Sequence, residues 1–269
     1  MLDKLSIDDK VVVVTGGGTG IGLAMVRHLA RAGAHVSIGG RRPGPIEDAA
    51  AEVKATGRDA LAISTDVSDS SQVDRLITTT LEHFGHIDVM INNAGAVQDN
   101  VRRPIWDHRD KDWHRVMDVN LSGAFYCSRA VSRPMADRGK GKIINVASSY
   151  GMRGGRDIYM YCCSKGGMVQ LTRVLAFNLA RYGITANSIS PGYIPTDAAY
   201  SESRATPPPS ADWLPTGKMS CPEDIGPVAV FLASDASDYM TGEMIIVDGG
   251  CMTAGIIPTG HAPVIPLEP

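Results

Sequence analysis

Apolar residues come along this chain in short unbroken runs that alternate with longer stretches of helical spacing. Lys10-Val11-Val12-Val13-Val14-Thr15 is the first run. Its β-branched residues leave no polar face, which fits a strand covered on both sides, as in a parallel sheet. A glycine cluster follows, and then apolar positions at helical spacing over 23–32 that stop at Gly33. A glycine just past the last periodic residue closes a helix. The alternation continues, predicting strands at 34–38, 59–64, 87–91, 142–147, 184–189 and 243–247, and helices at 47–56, 72–84, 110–137, 161–182 and 222–234. Seven strands alternating with helices imply right-handed βαβ units. The expected fold is therefore a single-domain α/β structure, a Rossmann-type doubly wound parallel seven-stranded sheet with helices on both faces.

Two stretches break the pattern. Residues 198–218 contain Pro207, Pro208, Pro209 and Pro215. A long insertion of this kind in a compact domain reads as a lid or a disordered loop. The stretch 254–269 carries Pro258, Pro263, Pro266 and Pro269, and can be neither regular helix nor central strand. The expectation is one domain over 1–253 followed by a proline-rich tail.

Composition narrows the function classes. Of 269 residues, 43% are hydrophobic and 20% charged, with a formal net charge of -3. That is the profile of a globular protein, with no basic excess directed at nucleic acid and no polybasic run directed at a membrane. No apolar run approaches the length of a membrane span. The first ten residues carry Asp3, Asp8 and Asp9 and do not read as a signal peptide. Five cysteines (Cys127, Cys162, Cys163, Cys221 and Cys251) form no CxxC pair, which reads as reduced thiols in a cytoplasmic protein. The seven His residues show no metal-ligand spacing, so no catalytic metal is expected.

The turn between the first strand and the first helix is Thr15-Gly16-Gly17-Gly18-Thr19-Gly20-Ile21-Gly22. Glycine is needed there because a side chain would keep backbone N–H groups away from a pyrophosphate, and the following helix adds its partial positive end. Placement between a buried strand and an amphipathic helix points to a dinucleotide. The spacing TGxxxGxG, with Gly16, Gly20 and Gly22, resembles the short-chain dehydrogenase/reductase family.

Later motifs extend that resemblance from about Lys10 to Gly250. Asp66-Val67 resembles the family's adenine-binding pair. Asn92-Asn93-Ala94-Gly95 matches its NNAG motif, which stabilises the sheet and lines the cofactor. Pro191-Gly192-Tyr193-Ile194-Pro195-Thr196 resembles the segment that contacts the nicotinamide end. Thr241-Gly242 and Val247-Asp248-Gly249-Gly250 match the family's terminal strand. The second strand ends Gly39-Gly40-Arg41-Arg42, so Gly40 stands where the resemblance places the NAD-selecting Asp, and a guanidinium suits a 2′-phosphate. This favours NADP(H) with NAD(H) as the alternative, although Thr19 replaces the basic residue many NADP-using relatives carry before the second motif glycine.

Tyr161 and Lys165 stand four residues apart and share a helix face. A phenol is a weak acid, and a nearby ammonium is expected to lower its pKa so that it can exchange a proton with a carbonyl oxygen as hydride moves. Ser148 lies at the spacing from Tyr161 that the family shows and would hydrogen-bond the substrate oxygen. Ser149 and Tyr159 are the rival side chains. Asn120 resembles the fourth member of the site, holding a water that links Lys165 to solvent. Val97, Gln98, Tyr150, Gly154 and Tyr193 are candidate substrate-lining residues, with Arg153 and Arg156 flanking the approach to Tyr161.

The resemblance thus implies hydride transfer between a nicotinamide and a small-molecule carbonyl or secondary alcohol, in a homotetramer built through the two long helices and the last strand. The alternative is a catalytically silent dinucleotide-binding sensor or structural subunit, since a fold alone does not fix function. An epimerase of the extended branch would be longer and spaced differently, and an enoyl-reductase-like relative would place Tyr and Lys farther apart.

Overall fold

The computed structural model describes residues 2–97, 104–196 and 214–253. Seven strands, β1 (Val11–Thr15), β2 (His35–Gly40), β3 (Ala60–Ser64), β4 (Val89–Asn92), β5 (Gly141–Val146), β6 (Ile184–Pro191) and β7 (Met244–Val247), form one sheet in the order β3-β2-β1-β4-β5-β6-β7. Every pairing is parallel. All seven strands therefore end at the same edge. The winding reverses between β1 and β4, which opens a crevice there of the kind that holds ligands in such sheets.

Side chains alternate across the sheet as the pleat requires. Val12 and Val14 of β1, Ile38, Ile91, Ile144 and Ile189 face one way, against α1 (Gly20–Arg31), α2 (Pro43–Ala55) and α7 (Gly226–Ala233). Val13, Met90, Ile143 and Ala186 face the other way. They meet Val73 and Leu76 of α3 (Ser70–Phe84), Val131 and Met135 of α5 (Gly123–Arg138), and Ala176 of α6 (Tyr159–Leu179). Gly85 and Gly183 take φ of 79° and 72° where α3 and the turn after α6 close, a conformation that favours glycine. At the opposite edge of the sheet from the strand ends, Lys142 of β5 is buried and holds Asp238 at 2.7 Å and the Ser237 hydroxyl at 3.1 Å.

The structure corrects several expected boundaries. The helix expected over 110–137 is two helices, α4 (Asp110–Met117) and α5, joined by a wider π-helical turn over Asp118–Ser122. The wide turn is centred on Asn120, whose side chain is engaged by residues outside the helix. Such single wide turns are common where a functional group must be displaced from regular helix. α2 begins at Pro43 rather than at 47, because a proline at the first helical positions sacrifices no hydrogen bond. α1 begins at Gly20, inside the glycine turn, and α6 begins at Tyr159. The helix expected over 222–234 opens with a tight 3-10 turn, Pro222–Ile225, before α7.

Among the described residues no helix is long and apolar enough to cross a membrane. Residues 198–213 of the lid expected over 198–218, the tail over 254–269 and Gln98 lie outside the described residues.

Candidate functional site

The end of β1 is fixed by its own threonine. The Thr15 hydroxyl donates to the Ile91 carbonyl at 3.3 Å and accepts from the backbone N–H groups of Asn93 and Ala94 at 3.0 and 3.1 Å. Asn93 returns the tie, its amide donating to the Thr15 and Gly16 carbonyls at 2.9 and 3.2 Å. The glycine turn and the NNAG segment are thus one hydrogen-bonded unit across the crevice. Gly16 holds φ of 66°, and a Cβ on it would stand 3.0 Å from the Ala94 Cα. A Cβ on Gly22 would run into the Gly16 carbonyl oxygen. The turn therefore exposes main chain where any side chain would fill the space.

α1 starts from this turn without an acid in its first turn, and Thr19 precedes it without a side-chain capping bond. The N–H groups at Gly20, Ile21 and Gly22 are left for an anion. Thr196 comes to the same place: a Cβ on Gly20 would lie 3.3 Å from its Cγ2. Gly192 is held by its N–H to the Val247 carbonyl at 2.9 Å, and Pro191 and Ile194 are buried beside it. At the other end of the crevice, Arg41 and Arg42 are exposed and hold no hydrogen-bond or ion-pair partner among the described residues. Asp66 is half-buried, with one carboxylate oxygen accepting from the Ser68 N–H and hydroxyl at 3.0 and 2.7 Å. Val67 is different: its side chain lies in the core against Gly123. A glycine cradle, free helix amides and two unpaired guanidinium groups along one crevice fit the phosphates and ribose of a dinucleotide.

A second cluster meets this crevice at the end of β5. Lys165 is buried, and its ammonium donates to the Val146 carbonyl at 2.7 Å while standing 5.7 Å from the centroid of the Tyr161 ring. Burial pulls its pKa down to about 8. Gly151 allows the close approach, since a Cβ on it would lie 2.8 Å from the Lys165 carbonyl oxygen. Ser148 opens the turn after β5, accepting from the Tyr150 N–H at 3.2 Å. It also hydrogen-bonds Tyr161, which separates it from Ser149. Tyr159, the rival phenol, packs edge-on against His108 with centroids 5.1 Å apart.

One expectation is reversed. The Tyr161 phenol is pushed up, not down, because burial outweighs the hydrogen bond to Ser148. The Lys165 ammonium is turned to the Val146 carbonyl and stands 5.7 Å from the centroid of the Tyr161 ring. The resting phenol is therefore held protonated.

Behind Lys165, Asn120 is fully buried. Its carbonyl oxygen accepts from the Ala96 N–H at 2.7 Å, and its amide donates to the Ala96 carbonyl and the Ser164 hydroxyl, each at 2.9 Å. The Ser164 hydroxyl donates in turn to the Tyr161 carbonyl at 2.9 Å. A Cβ on Gly95 would lie 3.6 Å from the Asn120 oxygen and 3.9 Å from the Lys165 nitrogen. The π turn, the NNAG segment and α6 thus converge. Sequence reasoning assigned no role to Ser164 or to the Thr15 side chain, and it did not reveal the buried chain that runs from Ser128 through Asn92 of the NNAG motif and Asn145 to Thr172. Ser164 had one usable signal, a small hydroxyl beside Lys165 in a helix otherwise apolar on that face.

Of the other expected residues, Val97 is exposed with its carbonyl held by Arg115 at 2.8 Å, Tyr150 meets Tyr161 edge-on, and Gly154 opens on free space. The five cysteines are unpaired. Among the described residues no three His, Cys, Asp or Glu gather as a metal would require.

Comparison with known proteins agrees with this geometry. The family model described as Enoyl-(Acyl carrier protein) reductase matches residues 16–252. The 3-oxoacyl-[acyl-carrier-protein] reductase of Synechocystis is 37% identical over 90% of this chain and 96% of its own. The 2-dehydro-3-deoxy-D-gluconate 5-dehydrogenase of Escherichia coli is 38% identical over 93% of this chain and 98% of its own. The crystal structure of a gluconate 5-dehydrogenase from Burkholderia cenocepacia, in complex with NADP and tartrate, superposes with a TM-score of 0.87 at 35% identity, covering 94% of this chain and 98% of that one. This chain belongs to the short-chain dehydrogenase/reductase family and is an NAD(P)-dependent oxidoreductase acting on CH–OH and C=O groups.

Proposed function

We propose that the enzyme interconverts a small-molecule ketone and its secondary alcohol with NADP(H) in preference to NAD(H), and that Ser148, Tyr161, Lys165 and Asn120 handle the proton. The observation that carries this reading is the convergence of the Tyr161 phenol, the Ser148 hydroxyl and the buried Lys165 ammonium beside the glycine cradle. When bound, the nicotinamide supplies or accepts the hydride. Tyr161 gives its proton to the carbonyl oxygen, or takes one from the alcohol. Its raised pKa keeps it in the donor state that reduction needs. Ser148 donates a hydrogen bond to the same oxygen and offsets the charge that develops on it. Lys165 stabilises the phenolate left behind. The Asn120 amide is spent on Ala96 and Ser164, so a water linking Lys165 to solvent is held by its remaining lone pair or by carbonyl groups released in the wide turn. The four-residue Tyr–Lys spacing argues for C=O rather than enoyl reduction, whatever the description of the matching family model.

Cofactor preference rests on Gly40 in the place of an acid and on Arg41 and Arg42 beside it, which are exposed and have no partner among the described residues. A relative solved with NADP supports the same reading. Titration followed by fluorescence is expected to show NADPH binding about tenfold or more tighter than NADH, with Arg41→Ala erasing most of the difference. Equal affinities in the unaltered protein would remove the argument for Arg41 and leave the proton chemistry standing.

The proposed assembly is a homotetramer. Phe125 on α5 and Val174 and Phe177 on α6 are exposed, Phe177 by 86%, as is Ile246 on β7. Apolar exposure of this kind marks association surfaces. Sedimentation is expected to give a tetramer, and Phe177→Glu a smaller species. A monomeric unaltered protein contradicts the proposal.

Lys165 also generates a stability prediction. Its ordinary pKa of 10.5 falls to about 8 in the fold, so between those values the unfolded chain binds a proton that the folded protein does not. Stability from this site rises with pH across that window, and the charged form costs on the order of 3 kcal/mol below it. Lys165→Met is expected to raise the Tm of the cofactor-free protein at pH 7, to flatten its pH dependence between about 8 and 10.5, and to abolish turnover. A lower Tm in the variant refutes this account of the buried ammonium.

A further inference from the structure

The turn after β5 carries a charge that the proton chemistry does not use. Arg153 is exposed, and its Cζ lies 5.1 Å from the centroid of the Tyr150 ring. That ring meets the Tyr161 ring edge-on, with centroids 6.3 Å apart and planes at 78°. Gly155 presses on the same ring, since a Cβ on it would lie 2.7 Å from Tyr150 Cε1. On its other side, Arg153 Nη2 stands 3.9 Å from the Cys251 sulfur, in the segment after β7. The guanidinium is therefore placed one ring away from the Tyr161 phenol, between two loops at the edge where the strands end.

What Arg153 lacks among the described residues is an acid. Arg27, Arg58, Arg109, Arg133 and Arg138 each hold a carboxylate. Arg153 holds none among the described residues, and a thiol is only a weak acceptor. Stacking on an aromatic face fixes the plane of a guanidinium and leaves its fork of N–H donors available. Such a fork matches a carboxylate in two parallel hydrogen bonds. Arg156, the other arginine on this approach, has neither a ring to stack on nor a partner to fix it among the described residues.

Resting on the carbonyl–alcohol chemistry proposed above, we infer that Arg153 is the specificity-determining residue of this site and binds a substrate carboxylate, so that the preferred substrates are hydroxy acids and their keto-acid products. Tyr150 is its positioning residue, since the ring that steadies Arg153 also borders Tyr161. The carboxylate fixes one end of the substrate and the phenol meets the reacting oxygen at the other. Binding energy from that remote group orients the reacting carbon without taking part in its chemistry.

The test compares matched pairs on the whole enzyme with NADP+: gluconate against gluconamide, and 4-hydroxycyclohexanecarboxylate against its amide. Each amide keeps the shape and removes the charge. The unaltered enzyme is expected to favour at least one acid over its amide by about tenfold or more in kcat/KM. Arg153→Ala is expected to raise KM for that acid by a similar factor, to change kcat by about threefold at most, and to leave the amide unaffected. Arg153→Lys should recover part of the loss, and Arg156→Ala should change neither substrate. Calorimetric titration of gluconate into the NADP+-loaded protein should lose its heat in Arg153→Ala. Equal effects of Arg153→Ala on acid and amide, or a preference for the amides, overturn the assignment. Turnover confined to uncharged ketones and alcohols overturns it too, while leaving the proposed reaction intact; no turnover of any carbonyl or alcohol takes down both.

Discussion

An ammonium buried without a carboxylate is costly, and the site is arranged around one. Lys165 leaves water, finds only the Val146 carbonyl at 2.7 Å among the described residues, and gives up part of its basicity as a result. Holding it there constrains everything nearby. The turn after β5 must present a backbone without a side chain, which is why Gly151 lies against the Lys165 carbonyl. The helix facing α6 must widen at Asn120 so that its amide can bind Ala96 and Ser164 at once. Local cost of this kind is tolerated at functional sites because the surrounding packing over-determines it.

The parallel sheet supplies that packing. Valines on both faces of β1 are buried, so the strand cannot slip without exposing one layer or the other. With register fixed, the glycine turn, NNAG, the Ser148 turn and the Pro191 segment all emerge at one edge. Thr15 and Asn93 then lock two of these turns together across the crevice. Cofactor cradle and proton-handling residues are neighbours because of strand order, although they lie far apart in sequence.

Much of this was legible from the residues alone. The unbroken Val11–Val14 run and the helix-closing Gly85 and Gly183 announce elements through local chemistry, and those elements stand where expected. The Pro43 start of α2 was misread because a proline–glycine–proline sequence resembles a loop, yet proline is well suited to a first helical turn. The wide turn at Asn120 was hidden for a different reason: its partner Ala96 is distant in sequence, and an Asn inside a helical pattern carries no mark of it. The direction of the Tyr161 shift was misjudged on the same ground. Spacing reveals that Lys165 shares a face with Tyr161, but not that its nitrogen turns to Val146 or that burial governs the phenol. Residues 98–103 and 197–213 lie outside the described structure.

The central claim is that the Tyr161 phenol carries the proton while other residues bind and orient. Single-turnover reduction of a ketone substrate by pre-bound NADPH, compared between the unaltered enzyme and Tyr161→Phe, tests it most directly. The account predicts a loss of about 10²–10⁴ in the rate of NADPH consumption, with NADPH affinity unchanged within about twofold. A Tyr161→Phe enzyme that consumes NADPH at the unaltered rate would contradict it.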